Sequence, residues 1–190
     1  MEEYTEVRWH GRAQQGIVTA AKVFAEAALA GGNNIQAFPD YGPERMGAPV
    51  ASYNRISKKP LTVHCAVVNP RVIVVVDATL IGSVDILEGV PDNGVVIINT
   101  HKSFADIKKK IDTGKRELYI VDATKIALET IGKPFPNTPM MGALAKATNL
   151  VKLEDLLEET KKVMGRKLAK EILEGNLKAI ERGYKEVKKQ

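Results

Sequence analysis

The segment Gly11-Arg12-Ala13-Gln14-Gln15-Gly16 joins a strand-like run, Glu6–His10, to an alanine-rich stretch over Ile17–Ala30. A glycine turn at a helix N-terminus presents unpaired backbone N–H groups and the positive end of the helix dipole, which suits a phosphate or another anion. The Gly11/Gly16 spacing matches a P-loop, but Ile17 and Val18 stand where Lys and Ser/Thr are required. With no phosphate-binding ammonium and no Mg²⁺-binding hydroxyl, a P-loop NTPase is excluded. The dinucleotide pattern G-x-G-x-x-G is met only with Ala13 at the middle glycine, where a bare backbone would approach a pyrophosphate. Asp40 is a downstream acid, although Pro39 before it suits a strand end poorly. A tight strand-to-helix turn that needs two glycines explains the segment about as well.

A second stretch, Phe38-Pro39-Asp40-Tyr41-Gly42-Pro43-Glu44-Arg45-Met46-Gly47-Ala48-Pro49, combines two glycines with three prolines and reads as an ordered, non-helical loop. Asp40, Glu44 and Arg45 are held in that stiff frame, where a local Glu–Arg surface pair is the simpler explanation. In Pro136-Asn137-Thr138-Pro139-Met140-Met141-Gly142-Ala143, Thr138 reads as an N-cap with Pro139 at the first helical position, which leaves Asn137 unexplained. His64 and Cys65 are adjacent on an expected strand, so their side chains point to opposite faces and form no nucleophile–base pair. Cys65 reads as a small core residue. His10 and His101 have no second ligand at metal spacing and read as loop or satisfied polar groups. Asp77 and Asp122 end buried strands, where they face a ligand or cap the following helix; capping is the expectation. No Ser-His-Asp set, carboxylate pair or metal cluster is visible, so no catalytic or metal-ligating residue is assigned.

The elements that position these residues alternate between strand and helix, the pattern of a three-layer α/β sandwich of Rossmann-like kind with a mostly parallel, mixed sheet. The expected strands are Glu6–His10, Ile35–Phe38, Val72–Asp77, Val95–Asn99 and Leu118–Asp122, the last three β-branched enough to be buried on both faces. Val50–Ser57 and Leu61–Val67 flank Lys58-Lys59-Pro60 and read as an added β-hairpin. Gly31-Gly32 closes the first helix. Beyond about 150 the chain reads as a helical tail of two amphipathic stripes, one through Leu156 and Val163, the other through Ile172, Ile180 and Tyr184. Either stripe could fold back on the domain or meet another subunit.

At 190 residues, 44% apolar and 27% charged, the chain is ordinary globular material sized for one domain, 1–190, with the tail at about 151–190. No run approaches the ~18 apolar residues of a membrane span. The acidic start, Met1-Glu2-Glu3, does not resemble a signal peptide. The one cysteine cannot form an internal disulfide, a four-cysteine cluster or a Cys-based zinc site. A cytoplasmic location is therefore expected. The net charge of +5 is mixed with acids along the middle and tail, and aromatics are only 5%, so a nucleic-acid face is not expected.

Taken in order, Arg8–Gly16, Gln36–Pro49 and Asn137–Ala143 resemble the gamma subunits of pyruvate:ferredoxin oxidoreductases, within the 2-oxoacid:ferredoxin oxidoreductase family. The likeness runs along essentially the whole chain, to Asn176 and Gly183-Tyr184, and the Pro-Glu-Arg-x-Gly-Ala-Pro block is its most specific part. Gln14 departs from the pattern by standing at a usual glycine position. The resemblance implies a subunit of an enzyme that converts a 2-oxoacid and coenzyme A into acyl-CoA and CO₂ while reducing ferredoxin. It implies alpha, beta and delta partners that carry thiamine diphosphate, Mg²⁺ and 4Fe–4S clusters, with no such cofactor on this chain. It also implies a share in binding coenzyme A, for which Gly11, Arg12, Gln15, Gly16, Arg45 and Asn137 are the candidates. Tyr41, Glu44 and Gly47 are candidate interface or loop residues. A gamma subunit of a 2-oxoisovalerate or 2-oxoglutarate enzyme, or a free-standing nucleotide-binding module, are the alternatives.

Overall fold

The computed structural model describes residues 4–40 and 47–190. Strands β1 (Tyr4–Arg12), β2 (Asn34–Asp40), β3 (Pro49–Ser57), β4 (Val72–Val75), β5 (Val95–Asn99), β6 (Glu117–Val121) and β7 (Lys188–Lys189) form one sheet in the order β2-β3-β1-β4-β5-β6-β7. The centre is parallel, β1 with β4, β4 with β5 and β5 with β6. Both flanks are antiparallel, through β1–β3 and β2–β3 on one side and β6–β7 on the other. The sheet is therefore mixed.

Alternation along the buried strands divides the core in two. Val72 and Val74 of β4 and Ile97 of β5 face helices α1 (Ile17–Ala30), α3 (Ala123–Ile131), α4 (Asn137–Thr148), α5 (Leu153–Met164) and α6 (Lys170–Glu186). Ile73, Val75, Val96 and Ile98 face the other way, onto Ile86, Val90 and Ile107 of a thin layer that contains the short helix α2 (Phe104–Lys108). The sandwich is thick on one side and thin on the other. Trp9 of β1 packs edge-on against Phe24 of α1, and its indole N–H donates to Asn54 Oδ1 at 2.8 Å, so this wholly buried ring keeps its polar group satisfied.

Two sequence expectations change. The antiparallel pair is β2 with β3, and Leu61–Val67 is not a strand. β3 already has β1 and β2 on its two edges, so no free ladder remains beside it. Side chains hold this segment instead: Gln36 Nε2 donates to the Val63 carbonyl and Arg55 Nη2 to the Cys65 carbonyl. Cys65 is exposed rather than in the core, because the segment carrying it lies outside the sheet. The tail folds back on its own domain. Leu156, Ala179 and Ile180 are buried in the main core, and Leu153, Leu157 and Tyr184 pack against it.

Candidate functional site

β1 and β4 run parallel at the point where successive connections leave the sheet in opposite directions, and open α/β sheets hold ligands at such points. The Gly11–Gly16 turn leaves β1 there. A Cβ on Gly11 would lie 2.7 Å from Ile17 Cγ2, so a side chain there would force Ile17 to shift. Gln14 and Gly16 both take left-handed backbone, each at φ 73°. Gly16 is the N-cap of α1 and gives that helix no side-chain cap, so the first-turn N–H groups keep their anion-accepting character. Asn137, at the start of α4, lies against the same glycine and donates from Nδ2 to the Gly16 carbonyl at 3.3 Å.

Asp77, just past β4, organises the turn. Its Oδ2 accepts Gln15 Nε2 at 2.8 Å and sits 3.3 Å from Arg12 Nε, while Oδ1 accepts the Thr79 amide and hydroxyl at 2.9 and 2.6 Å. Burial pushes the Asp77 carboxyl up, but the Thr79 and Gln15 hydrogen bonds and the Arg12 charge outweigh it and hold it below the usual carboxylate range. Gln15 closes the circuit, its Oε1 accepting the Arg12 amide at 2.7 Å. The Arg12 guanidinium reaches Thr79 Oγ1 at 3.0 Å and the Gly47 carbonyl at 3.0 Å, with a third of its side chain left open to solvent. The structure thus brings Gly11, Arg12, Gln15, Gly16, Asn137 and Gly47 into one neighbourhood. Arg45, Tyr41 and Glu44 lie outside the described residues. Asp77 and Asp122 both cap, Asp77 through Thr79 N and Asp122 through Lys125 N. Asp77 also anchors Arg12 and Gln15, a role signalled only by its place at the end of a buried strand.

The helix cap at Thr138 differs from expectation. α4 begins two residues earlier, at Asn137, with Pro136 at the N-cap, and the Thr138 hydroxyl, turned inward, donates to Asn176 Oδ1 at 2.9 Å. His10 is a satisfied buried group whose Nε2 accepts Arg8 Nε at 2.9 Å. No group of three or more His, Cys, Asp or Glu placed to hold a metal occurs among the described residues. None of their helices is long and apolar enough to cross a membrane.

Beside the turn, the C-terminal ends of β4, β5 and β6 frame a cleft of about 700 Å³ that reaches from Gln15 and Asp77 to Lys102, Lys110 and Lys125. The sequence reading did not single out these lysines, which are scattered in sequence and converge only through the parallel strand order. Arg12, Gln15, Asp77 and Thr79 are hydrogen-bonded to one another in a fixed frame, and among the described residues of the turn no nucleophile lies beside a free base.

The pyruvate ferredoxin/flavodoxin oxidoreductase family model matches residues 6–186. The pyruvate synthase subunit PorC of Thermotoga maritima is 46% identical over 188 residues, 98% of this chain and 96% of that protein. The common gamma subunit of the pyruvate/ketoisovalerate oxidoreductases of Pyrococcus furiosus is 45% identical over 179 residues, 94% of this chain and 95% of that protein. The crystal structure of the T. maritima pyruvate oxidoreductase subunit PORC superposes with a TM-score of 0.87 at 42% identity, covering 100% of this chain and 99% of that one.

Proposed function

The chain belongs to the pyruvate ferredoxin/flavodoxin oxidoreductase family, as a subunit of the PorC or gamma type, and we propose that within its enzyme it supplies part of the coenzyme A site. The reaction is the CoA-dependent oxidative decarboxylation of pyruvate to acetyl-CoA and CO₂, with the electrons passed to ferredoxin. Thiamine diphosphate, Mg²⁺ and iron–sulfur clusters reside on the alpha, beta and delta partners. One cysteine cannot furnish the thiolates of a cluster on this chain. A single unpaired thiol also suits a reducing, cytoplasmic setting.

The observation that carries the coenzyme A reading is the uncapped start of α1 at Gly16, beside a guanidinium that Asp77 and Thr79 fix at the turn. A polyphosphate needs free N–H donors and cations in one place, and the turn offers both. Arg45 would join from the 38–49 loop and Asn137 from α4. Replacing Arg12 or Arg45 by Ala is expected to cost about 1.5–3 kcal/mol if each meets a phosphate. Steady-state kinetics of the assembled variants would then show about a tenfold or larger rise in KM for CoA with KM for pyruvate unchanged. Unaltered CoA dependence in both, together with poor assembly, would mean that both arginines only brace the subunit interface.

A second reading is favoured by the likeness to the P. furiosus subunit, named as common to pyruvate and ketoisovalerate enzymes. The same gamma chain would then serve more than one 2-oxoacid, with the acid chosen by the partner subunits.

A further inference from the structure

We propose that this chain pairs with a second copy of itself across a two-fold axis, joining the two β2 strands edge to edge and setting α1 against the partner's α1. β2 ends the sheet, and among the described residues no strand lies on its outer side. It carries no charge before Asp40, its central Ala37 is exposed, and only Pro39, near one end, interrupts its row of backbone hydrogen-bonding groups. Edges left to solvent are usually blunted by charges, so an uncharged edge is a template for another strand. Beside it lies an apolar groove of about 410 Å³, lined by Val18, Ala21 and Ala25 of α1 and by Ile35, Ala37 and Pro39 of β2. The exposed Thr19 and Leu29 and the charged Lys22 and Glu26 follow one stripe of α1, and the two charges border the groove.

The charges on that stripe select a second copy as the occupant. Lys22 Nζ lies 3.8 Å from Glu26 Oε1, one turn along the same helix. A copy of α1 laid antiparallel, with the two-fold at the level of Phe24, brings Lys22 to the partner's Glu26 and Glu26 to the partner's Lys22. The stripe complements itself, as an isologous interface requires. The strand asks for the same axis. An antiparallel copy of β2 centred on Ala37 sets Asn34 opposite the partner's Asp40 and leaves only small side chains at the centre. At ~1.5 Å per helical residue and ~3.3 Å per strand residue, Phe24 and Ala37 both stand roughly 10 Å from the 31–33 turn, so one axis passes both. α1 lies over β2 and β3 together, held to β3 where Asn54 Nδ2 donates to the Ala21 carbonyl at 2.8 Å. With strands ~4.8 Å apart, the two α1 axes then stand about 10 Å apart, the spacing of packed helices.

The pairing is independent of the coenzyme A reading. The first test is sedimentation equilibrium of the full chain. A dimer is expected, its Kd raised about tenfold by Lys22→Glu and by Glu26→Lys and restored when both are combined, with helix content by circular dichroism unchanged. The second is Ala37→Cys in a Cys65→Ser background, oxidised with diamide in the full chain and in the assembled enzyme. Directly opposed residues of antiparallel strands lie ~4.5–5.5 Å apart at Cα, within disulfide reach, so a covalent pair of this subunit is expected in both. A monomer at every concentration overturns the proposal, as does a dimer indifferent to the charge reversals. A crosslink from position 37 to a different subunit of the enzyme, or none there, also overturns it, the former by giving the β2 edge to that subunit.

Discussion

His10 and Arg8 share one face of β1, buried together, and the Arg8 guanidinium also donates to the Ile86 and Glu88 carbonyls of the thin layer. Because Arg8 Nε donates to His10 Nε2, the imidazole must be neutral, with its proton on Nδ1. Burial, and then the Arg8 charge, push the His10 pKa down from 6.5 to about 4. The unfolded chain therefore binds this proton more readily than the folded one. The associated stability is complete above about pH 6.5 and drains away as pH falls toward about 4. The loss is on the order of 3 kcal/mol. His10→Gln keeps an acceptor for Arg8 and should flatten the dependence of the unfolding midpoint over that interval; an unchanged slope would mean that other groups carry it. Gln14 tests backbone strain in the same turn. A side chain at φ 73° costs roughly 1 kcal/mol, so Gln14→Gly should stabilise the fold by about 0.5–1 kcal/mol in denaturant titrations. The usual glycine at this place thus has a backbone reason that was legible as a departure from pattern. The partners of Arg12 were not legible, because Asp77 and Thr79 lie far along the chain and meet it only through the parallel β1–β4 register.

At the scale of elements, α4 and α6 approach each other through glycine. A Cβ on Gly142 would stand 2.0 Å from the Ile180 carbonyl oxygen, and one on Gly183 would stand 2.0 Å from that of Pro139. These are backbone obstacles that no rotamer change relieves. In an isolated helix Gly→Ala gains about 1 kcal/mol. Here Gly142→Ala and Gly183→Ala should instead lose about 1–3 kcal/mol each, from helices forced apart. A thermal melt fixes the sign, and stabilisation would show that the two helices do not pack this closely. A capping signal marked α4 and an amphipathic stripe marked α6, while their close approach depended on glycine contacts that a hydrophobic pattern does not encode. The misread strand at Leu61–Val67 has a related cause. Its alternation satisfies the local rule, but the edges of β3 were already taken by strands drawn from before it in the chain.

For the whole molecule, the βα alternation and the buried β-branched runs made the sandwich legible, because each follows from local periodicity. The cleft was not, since its lysines come together only when β5 and β6 are laid beside β4 in parallel. The same architecture bears on what the chain does in its enzyme. The polar groups of its Gly11–Gly16 turn are tied into a fixed frame, most of its tail stripes pack inward on its own core, and one cysteine leaves no route for electrons through a cluster. Purified alone, it should reduce no viologen dye with pyruvate and CoA, and activity should return on adding the other subunits of its complex. If the partners choose the 2-oxoacid, combining this chain with the remaining subunits of a 2-oxoisovalerate enzyme should give a complex that prefers the branched acid while keeping the KM for CoA seen with pyruvate. Competition between the two acids in the hybrid, scored as a ratio of kcat/KM, decides the matter. A preference that follows this chain would place acid selection on the gamma subunit, and a KM for CoA that follows the partners would remove the Gly11–Gly16 turn from the coenzyme's path.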